Sequence, residues 1–447
     1  MSSQFQSATS INYQKDLRIK INNKEAVIGI IGLGYVGLPL AVESAVSGFK
    51  VIGFDLNAEK VDSIKNGVSY IEGVSNKKIS TLIKDEKLLA STDLKLIEKT
   101  DVVIICVPTP LDEHHQPDIT YIENATKEIA KYMKEGTLVI LESTTYPGTT
   151  EEVVKPLLET SGLKCGEQFF LAYSPERIDP GNKTFNTKNT PKVVGGINNE
   201  STEIAGTFYQ NVLDAEIFKV SSPAVAEMEK ILENTFRNIN IALVNELAII
   251  CNKMNIDVWE VIDAAKTKPY GFMPFYPGPG LGGHCIPIDP FYLTWKAREY
   301  NHYTRMIEVA GEINNNMPNY VVERIGSILN DELKSIKGST VLLLGIAYKK
   351  DVKDYRESAI LKIIEILESA GALIKYCDPY IPYFIHRNKK YVQTELNMET
   401  LQKADIVVIT TDHSNFDYEL VGKYANVIYD TRNVMRNHFK ANRYITL

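Results

Sequence analysis

The sequence lacks several features that would assign it to a specialised class of protein. No apolar stretch approaches the roughly 20 residues that a transmembrane helix needs, and residues 1–23 contain no apolar signal-peptide core. The basic excess of a nucleic-acid-binding domain is also missing, because the formal net charge is −7. Cysteine is scarce, and its five widely scattered residues favour reduced thiols over disulfides. We therefore expect a soluble cytoplasmic protein with no metal site, no membrane and no nucleic-acid partner.

The composition that is present is that of an ordinary globular protein. The 447 residues are 44% hydrophobic and 23% charged, and such a length should form two or three domains at roughly 150 residues each. Residues 1–24 are a polar leader without clear periodicity, and we expect them to be poorly ordered.

A complete dinucleotide-binding fingerprint follows the leader. Residues 26–31 are an apolar run typical of a buried parallel strand, and they lead into Gly32-Leu33-Gly34-Tyr35-Val36-Gly37 and a helical pattern. A second strand, residues 50–54, ends at Asp55. A GxGxxG motif alone is a weak signal, but here the strand, the helix and the acidic residue all accompany it.

Each residue of the fingerprint has a separate physical role. Gly32 permits the tight turn, Gly34 lets the backbone approach the pyrophosphate, and Gly37 allows close packing of helix on strand. Asp55 can accept both ribose hydroxyls, and its charge would repel a 2′-phosphate, which favours NAD over NADP. We predict an NAD site formed by Gly32, Gly34, Tyr35, Val36, Gly37 and Asp55.

The alternation of strand and helix continues with buried-type strands at residues 101–107 and 137–142. Because ligands of doubly wound sheets lie outside the carboxyl ends of the strands, the loops there should meet the cofactor. Their candidate residues, for which a loop cap is the alternative, are Pro108, Thr109, Ser143 and Thr144. Cys106, embedded in an apolar strand, is expected to be an inert core thiol. Beyond the strand at residues 169–173, Glu176 and Arg177 form either a site for water and substrate or a surface ion pair.

The period changes after Pro223, where residues 226–251 predict one long helix. Lys230, Asn234 and Arg237 share one face of it, with Glu227 one turn earlier; a solvated face would also explain these charges. Asparagine is a poor helix former, so Asn234, Asn238 and Asn245 need another reason to be there.

The sequence Gly278-Pro279-Gly280-Leu281-Gly282-Gly283-His284-Cys285-Ile286-Pro287-Ile288-Asp289-Pro290 is unlike a core element. Clustered glycines mark special backbone angles or a close approach to a ligand. A cysteine and an aspartate on such a loop suggest chemistry, although composition alone would favour a structural thiol at Cys285.

Strand patterns return at residues 340–345, 372–378, 405–410 and 427–430, without a second GxGxxG. The predicted fold is α/β, with two Rossmann-like doubly wound domains joined by a central long-helix segment. We place the NAD-binding domain at residues 25–220, the central segment with the glycine-rich loop at 221–332, and the second domain at 333–447.

Five motifs together resemble the UDP-sugar 6-dehydrogenase family, in the family's order and over nearly all residues after Lys24. They are Gly32-Leu33-Gly34-Tyr35-Val36-Gly37-Leu38-Pro39, Ser174-Pro175-Glu176-Arg177, Gly282-Gly283-His284-Cys285, Gly345-Ile346-Ala347-Tyr348-Lys349-Lys350-Asp351 and Asp430-Thr431-Arg432-Asn433. The resemblance implies a homodimer or higher oligomer through the central helices and a UDP-binding C-terminal domain. It also implies the four-electron oxidation of a sugar CH₂OH to a carboxylate, with two NAD and one water.

The resemblance also implies roles for individual residues. Cys285 is the covalent nucleophile, Lys230, Asn234 and Asp289 handle the oxyanion and water, and Asp289 or Glu176 is the base for water. Cations suit a substrate diphosphate, and the glycines should turn backbone N–H groups towards sugar or phosphate. The expected substrate contacts are Arg177, Gly278, Gly280, Gly282, Gly283, Arg305, Lys349, Lys350 and Arg432.

Two positions depart from the UDP-glucose branch of the family. Ile288 stands where that branch typically has a lysine, and His284 where it has a small residue, so His284 is interpreted as a branch marker or packing residue. The segments 173–182 and 278–296 are most similar to the N-acetylhexosamine branch, and within it to members that oxidise UDP-N-acetylglucosamine for surface polysaccharide synthesis. The manno, galacto and gluco sugars stay open as alternatives. A catalytically silent NAD-binding scaffold is a further alternative, against which Cys285 speaks.

Overall fold

A computed structural model describes residues 12–71, 73–112, 116–179, 182, 184–283, 285–438 and 443–447. The chain divides into two compact units, residues 1–232 and 233–447. The interpretation of His284 falls outside the described residues.

The first unit is built on an eight-stranded sheet, counted over the described residues. Its strands are β1 (Val27–Ile31), β2 (Lys50–Phe54), β3 (Leu88–Ser91), β4 (Val102–Ile105), β5 (Leu138–Leu141), β6 (Phe170–Tyr173), β7 (Lys192–Gly196) and β8 (Ile217–Val220). The order is β3-β2-β1-β4-β5-β6-β7-β8; β1 to β6 are parallel, and β7 is antiparallel to β6 but parallel to β8. The first six strands thus have the 3-2-1-4-5-6 order of dinucleotide-binding folds.

Helices cover both faces of this sheet. They are α1 (Tyr13–Asn22), α2 (Gly37–Val46), α3 (Ala58–Lys65), α4 (Asn76–Lys84), α5 (Thr120–Tyr132), α6 (Lys155–Glu159) and α7 (Asn199–Val212), with a 3-10 helix at Leu94–Lys99 and a π-helical turn at Thr150–Val154. Along β4, Val102 and Ile104 belong to one apolar cluster and Val103 and Ile105 to the other. Both clusters are buried, which explains why this strand is a continuous apolar run.

The expectation for the leader is wrong from Tyr13 onwards. Asn12 caps α1 by accepting a hydrogen bond from the Lys15 N–H, and Leu17 and Ile21 are buried in the core of the first unit. The two buried residues lie one helical turn apart, and the partly buried Tyr13 packs against the same core. So few apolar residues make the periodicity hard to recognise among the surrounding polar residues.

The long helix predicted after Pro223 is α8 (Pro223–Met254), and the division between the units falls within it, after Leu232. In the second unit it is followed by α9 (Val258–Ala265), α10 (Asp289–Ala297), α11 (Arg305–Asp331), α12 (Ala359–Ser369), α13 (Met398–Lys403) and α14 (Tyr418–Tyr424), with 3-10 helices at Arg298–Tyr300 and Val434–Asn437. Arg305, one of the expected substrate contacts, is the first residue of α11.

The second unit has a five-stranded parallel sheet among its described residues. Its strands and those of a separate antiparallel hairpin, β11-β12, are β9 (Thr340–Leu344), β10 (Leu373–Cys377), β11 (Tyr383–His386), β12 (Lys389–Val392), β13 (Ile406–Ile409), β14 (Val427–Asp430) and β15 (Arg443–Thr446). The strand order is β10-β9-β13-β14-β15. Numbered along the chain within this sheet, it is 2-1-3-4-5, the second common order of doubly wound folds.

The predicted α/β fold with two Rossmann-like sheets and a long central helix is thus confirmed. No helix in the described part of the chain is both long and apolar enough to cross a membrane.

Candidate active site

The three glycines of the fingerprint lie between β1 and α2 and differ in their surroundings. Gly32 has φ of 92°, and a Cβ atom there would overlap the Cys106 carbonyl oxygen. A Cβ on Gly37, the first residue of α2, would overlap the Gly32 carbonyl oxygen. A Cβ on Gly34 would meet no protein atom within 4 Å. The fold itself requires Gly32 and Gly37, whereas the space beside Gly34 suits a ligand.

Asp55, directly after β2, holds the glycine loop in place. Its Oδ2 accepts hydrogen bonds from the Leu33 N–H at 3.0 Å and from Lys60 Nζ at 3.1 Å, and its Oδ1 accepts one from the Asn57 N–H at 2.9 Å. The Tyr70 hydroxyl donates to the Leu33 carbonyl at 2.7 Å. Sequence reasoning missed Lys60 and Tyr70. Lys60 could have been found, because it lies in the first helix after Asp55, the acidic residue that follows β2.

The loops after β4 and β5 lie at the carboxyl ends of neighbouring strands, as predicted. Pro108 is exposed, Thr109 and Thr144 are partly buried, and the buried Ser143 donates its hydroxyl to the Val107 carbonyl at 2.8 Å. Ser143 therefore ties the two loops together. Cys106 is a buried thiol whose pKa is raised by burial, which confirms it as an inert core residue.

Glu176, Arg177 and Lys230 lie together in the first unit. Lys230 is buried, and its ammonium donates to the main-chain carbonyl of Glu176. Arg177 donates from Nη1 to the Pro191 carbonyl at 3.0 Å, and its Nε lies 3.4 Å from Glu229 Oε1. The structure thus supports neither a solvated face at Lys230 nor a surface ion pair between Glu176 and Arg177.

Glu227, one turn before Lys230, is buried as well. Its Oε2 accepts a hydrogen bond from the Gly148 N–H at 2.6 Å, and its Oε1 accepts from the N–H and hydroxyl of Thr150 at 2.9 and 2.6 Å. Burial raises the pKa of Glu227 from an ordinary 4.5 to about 7, while these hydrogen bonds act in the opposite sense. This carboxyl joins α8 to the segment that follows Ser143 and Thr144.

The three asparagines of α8 that the sequence singled out all bond to the glycine-rich loop in the second unit. Asn234 Nδ2 donates to Asp289 Oδ2 at 2.6 Å, and Asn238 Nδ2 donates to the Ile286 carbonyl at 3.0 Å. Asn245 Oδ1 accepts from the Gly278 N–H at 3.0 Å. These bonds are the reason for poor helix formers in this helix.

A fourth asparagine, Asn314 on α11, completes this network and was missed. It accepts a hydrogen bond from Asn245 Nδ2 at 2.9 Å and donates to the Asn238 carbonyl at 3.1 Å. All that the sequence offered was a run of asparagines at residues 314–316, from which no partner can be inferred.

Cys285 begins the turn that leads into α10. Its carbonyl accepts the N–H groups of Ile288 at 3.0 Å and of Asp289 at 2.8 Å. Of the five cysteines, all within the described residues, only Cys285 is exposed. Asp289 is buried and its carboxylate is fixed by Asn234, so the turn joins a residue with an accessible thiol to a residue with a buried carboxylate through a main-chain hydrogen bond. Accessible thiols are the reactive ones.

The glycines before Cys285 pack against other parts of the second unit. A Cβ on Gly278 would lie 2.5 Å from Arg432 Nη1, and one on Gly282 would lie 2.8 Å from the Tyr348 side chain. The Gly283 N–H donates to the Glu357 carbonyl at 3.1 Å, and that of Gly278 to Asn245. The expectation that backbone N–H groups here face a ligand is therefore wrong for Gly278 and Gly283.

The remaining predicted substrate residues lie at different places in the second unit. Arg432 follows β14 and donates from Nε to the Thr410 carbonyl at 3.0 Å. Lys350 lies 3.5 Å from Asp412, Lys349 is partly buried, and Arg305 is exposed at the start of α11. Of these residues, Arg432 and Gly278 are brought together.

Family models match most of the chain in three consecutive segments. They describe the NAD binding domain (residues 26–213), the central domain (residues 224–316) and the UDP binding domain (residues 342–437) of the UDP-glucose/GDP-mannose dehydrogenase family. The chain belongs to the UDP-glucose/GDP-mannose dehydrogenase family. The predicted family and the predicted NAD cofactor are thereby confirmed, and the UDP binding domain fits the predicted class of substrate.

Within this family the chain is similar to enzymes named for two different sugars. The UDP-N-acetyl-D-glucosamine 6-dehydrogenase of Pseudomonas aeruginosa is 37% identical over 92% of this chain and 97% of its own length. The UDP-N-acetyl-D-mannosamine dehydrogenase of Methanocaldococcus jannaschii is 37% identical over 91% and 92%. The solved structure of the UDP-D-ManNAc dehydrogenase of Pyrococcus horikoshii matches with a TM-score of 0.85 and 32% identity, over 94% of this chain and 98% of that one.

Proposed function

We propose that this protein oxidises the C6 hydroxymethyl group of UDP-N-acetylglucosamine to the carboxylate, using two NAD and Cys285 as covalent nucleophile. The observation that carries the proposal is the exposed Cys285, whose main-chain carbonyl accepts the N–H of the buried Asp289, a residue that Asn234 fixes. The product would be a uronic-acid precursor of surface polysaccharide. We place the activity in the cytoplasm, on three domains at residues 25–220, 221–332 and 333–447.

The chemistry balances in four steps. The sugar CH₂OH loses a hydride and a proton to become an aldehyde, and the Cys285 thiol adds to it as a thiohemiacetal. Loss of a second hydride and proton leaves a thioester, and water then cleaves the C–S bond to give the carboxylate and the thiol. Bound NAD supplies the acceptor for each hydride.

The protein's own groups support the charged stages of this sequence. The Lys230 ammonium is suited to stabilise a developing alkoxide, and the Asn234 amide can donate to an oxyanion. Asp289 or Glu176 is suited to accept a proton from the hydrolytic water. Arg177, Arg305, Lys349, Lys350 and Arg432 are proposed, with Gly278, Gly282 and Gly283, to line the UDP-sugar site.

A panel of UDP-sugars tests this proposal. Purified protein is mixed with NAD and, separately, UDP-N-acetylglucosamine, its manno and galacto epimers and UDP-glucose, and the NADH formed per sugar is counted. We expect two NADH per UDP-N-acetylglucosamine. Turnover restricted to UDP-glucose would exclude the N-acetylhexosamine branch, and no NADH with any of the four would exclude a dehydrogenase in favour of an NAD-binding scaffold.

UDP-N-acetylmannosamine is the second candidate substrate, since relatives named for it are as similar to this chain as those named for UDP-N-acetylglucosamine. The two sugars differ at C2, far from the C6 that reacts, so the covalent chemistry would be the same. The ratio of kcat/KM for the two substrates in the panel decides between them.

Replacing Cys285 by serine should stop steady turnover, because a hydroxyl is a much weaker nucleophile than a thiolate near neutral pH. We expect kcat to fall by at least about 1,000-fold while NAD binding, measured by calorimetry, is retained. The matched control is Cys165→Ser, at a partly buried thiol of the first unit whose pKa burial raises to about 12. Full activity of Cys285→Ser would exclude the covalent mechanism.

A further inference from the structure

A buried cluster of charged and polar side chains lies at the edge of the sheet next to Glu176. Glu142 directly follows β5, Glu176 lies just beyond β6, and Lys192 is the first residue of β7. Because β7 runs antiparallel to β6, its start lies beside the end of β6. The Glu142 side chain is 0% exposed and that of Lys192 is 6% exposed.

Lys192 connects the two carboxylates. Its Nζ lies 2.6 Å from Glu142 Oε1 and donates to Glu176 Oε2 at 3.3 Å. The Tyr209 hydroxyl on α7 also donates to Glu142 Oε1 at 2.6 Å, and the Cys106 thiol lies 3.6 Å from Glu142 Oε2. Glu142 thus accepts from three donors and serves as the buried anchor of Lys192.

The charges of the cluster favour an ionised lysine. Burial lowers the pKa of Lys192, but the carboxylates of Glu142 and Glu176 more than offset this, so the net pKa is raised. For Glu142, burial has the opposite direction: it raises the pKa of the carboxyl, and the Lys192 ammonium acts to lower it. The Lys192 ammonium thus lies between two carboxyl groups, at 2.6 Å from Glu142 Oε1 and 3.3 Å from Glu176 Oε2.

Glu176 is held on both sides of its carboxylate. Oε1 accepts the N–H groups of Arg177 and Ile178, each at 2.8 Å, and Oε2 accepts from Lys192. A carboxylate has about four acceptor directions, so one remains for a water or a substrate hydroxyl. The same residue accepts the Lys230 ammonium on its main-chain carbonyl.

We infer that Lys192 is a positioning residue: anchored by Glu142 and Tyr209, it fixes the Glu176 carboxylate and, through the Glu176 main chain, the ammonium of Lys230. None of the sequence motifs includes Lys192 or Tyr209. The effect of Lys192 on catalysis rests on the proposed function, in which Glu176 acts on the water and Lys230 on the oxyanion.

The test compares Lys192→Met with the charge-balanced double variant Glu142→Gln/Lys192→Met in the full-length protein. The single variant leaves Glu142 buried without its cation and should lose stability, whereas the double variant removes both charges and should fold. The control is Lys188→Met. Lys188 is an exposed lysine on the loop before β7, and its Nζ lies 2.8 Å from Asp214 Oδ2. Melting temperatures establish which variants are folded.

The first readout needs no substrate. Hydrogen exchange followed by mass spectrometry reports on the Arg177 and Ile178 amides, which the Glu176 carboxylate protects. We expect these two amides to exchange at least about tenfold faster in the double variant than in the wild type, and at the wild-type rate in the control. Unchanged protection in a folded double variant would overturn the inference, whatever the protein turns out to oxidise.

The second readout is kcat and KM with the UDP-sugar that the wild type oxidises. The kcat of the double variant should fall by about 100-fold, because Glu176 and Lys230 lose their fixed positions, with KM for NAD within about threefold. A double variant with wild-type kcat would show that Lys192 is only structural. Absence of turnover in the wild type would exclude the proposed function, and exchange would then decide the positioning role alone.

Discussion

The Glu227 carboxyl is buried and accepts three hydrogen bonds from the segment after β5. Burial raises its pKa to about 7 although these bonds act to lower it. A buried acid with a raised pKa binds its proton more tightly in the folded chain than in the unfolded one. Its contribution to stability is therefore complete below about pH 4.5 and is lost as the pH rises through about 7.

Glu227→Gln should remove this pH dependence. We expect the free energy of unfolding of the wild type, relative to that of the variant, to fall between pH 5 and pH 8 by on the order of 1–3 kcal/mol. Urea unfolding at several pH values measures the difference. Glu128→Gln, at a surface carboxylate paired with Lys131 on α5, is the control and should show no such trend. A constant difference between wild type and Glu227→Gln would contradict the raised pKa.

At the scale of elements, the glycines in the turn from β1 to α2 have two different roles. Gly32 and Gly37 are required by the fold, whereas Gly34 leaves space for a ligand. Gly32→Ala places a side chain at a φ of 92° and against the Cys106 carbonyl oxygen, so we expect a loss of at least about 1–2 kcal/mol of stability. Gly34→Ala meets no protein atom within 4 Å and should melt within about 2 °C of the wild type.

The same pair of variants should differ in the opposite way towards NAD. Gly34→Ala should raise the Kd for NAD by at least about tenfold, because the added methyl occupies the space where the pyrophosphate approaches the backbone. Calorimetric titration gives the Kd, and circular dichroism gives the melting curves. Unchanged NAD affinity in Gly34→Ala would contradict this location of the pyrophosphate.

Helix α8 carries an apolar stripe on its exposed surface. Phe236, Leu243, Leu247, Ile250 and Met254 are each more than a third exposed and recur at spacings of three, four and seven residues. Exposed apolar stripes of this kind are typical of helices that pack on a partner. This stripe supports the proposed homodimer through the central helices.

Leu243→Glu should weaken the dimer, because a carboxylate would have to be desolvated within an apolar interface. We expect the molar mass from sedimentation at about 10 μM to drop from that of a dimer, or of a higher oligomer, towards 50.2 kDa. Ile19→Glu is the matched control, since Ile19 is exposed to a similar degree on the surface of α1. A variant with the wild-type mass would argue against an interface at this stripe.

At the scale of the whole molecule, the two units repeat one device. In the first, Gly32 has a positive φ and Asp55 accepts the N–H of Leu33. In the second, Gly345 has φ of 94° and Asp378 accepts the N–H of Ile346 at 2.6 Å. Both turns lie at the carboxyl end of the first strand of a doubly wound sheet, where such folds bind ligands.

NAD and UDP should therefore protect different units from hydrogen exchange. We expect NAD to slow exchange at the ends of β1, β2, β4 and β5, and UDP to slow it at the ends of β9, β13 and β14. Mass spectrometry of the protein with each ligand alone gives the comparison, and inorganic phosphate is the control for charge. Protection by UDP confined to residues 26–213 would contradict the assignment of the second unit to the nucleotide-sugar.

The sequence by itself determined much of this protein where the signals are local. Continuous apolar runs revealed the buried parallel strands, and the glycine pattern with Asp55 revealed the turn after β1. The unexplained asparagines of α8 pointed to contacts that the structure then supplied. Patterns of this kind depend on the chain's immediate neighbours, so they can be recognised without knowing the tertiary fold.

Only the tertiary structure decided which distant residues meet and which of them are buried. Lys192 and Glu142 are ordinary charged residues in the sequence, and their pairing arises because the sheet order β5-β6-β7 brings the start of β7 near the end of β5, with only β6 between them. Asn314 acquires its role from the packing of α11 near α8, and Leu17 and Ile21 anchor a helix in a segment that is otherwise polar. Burial strengthens electrostatic interactions and makes unpaired polar groups costly, so the chemistry of these residues follows from the fold rather than from their local sequence.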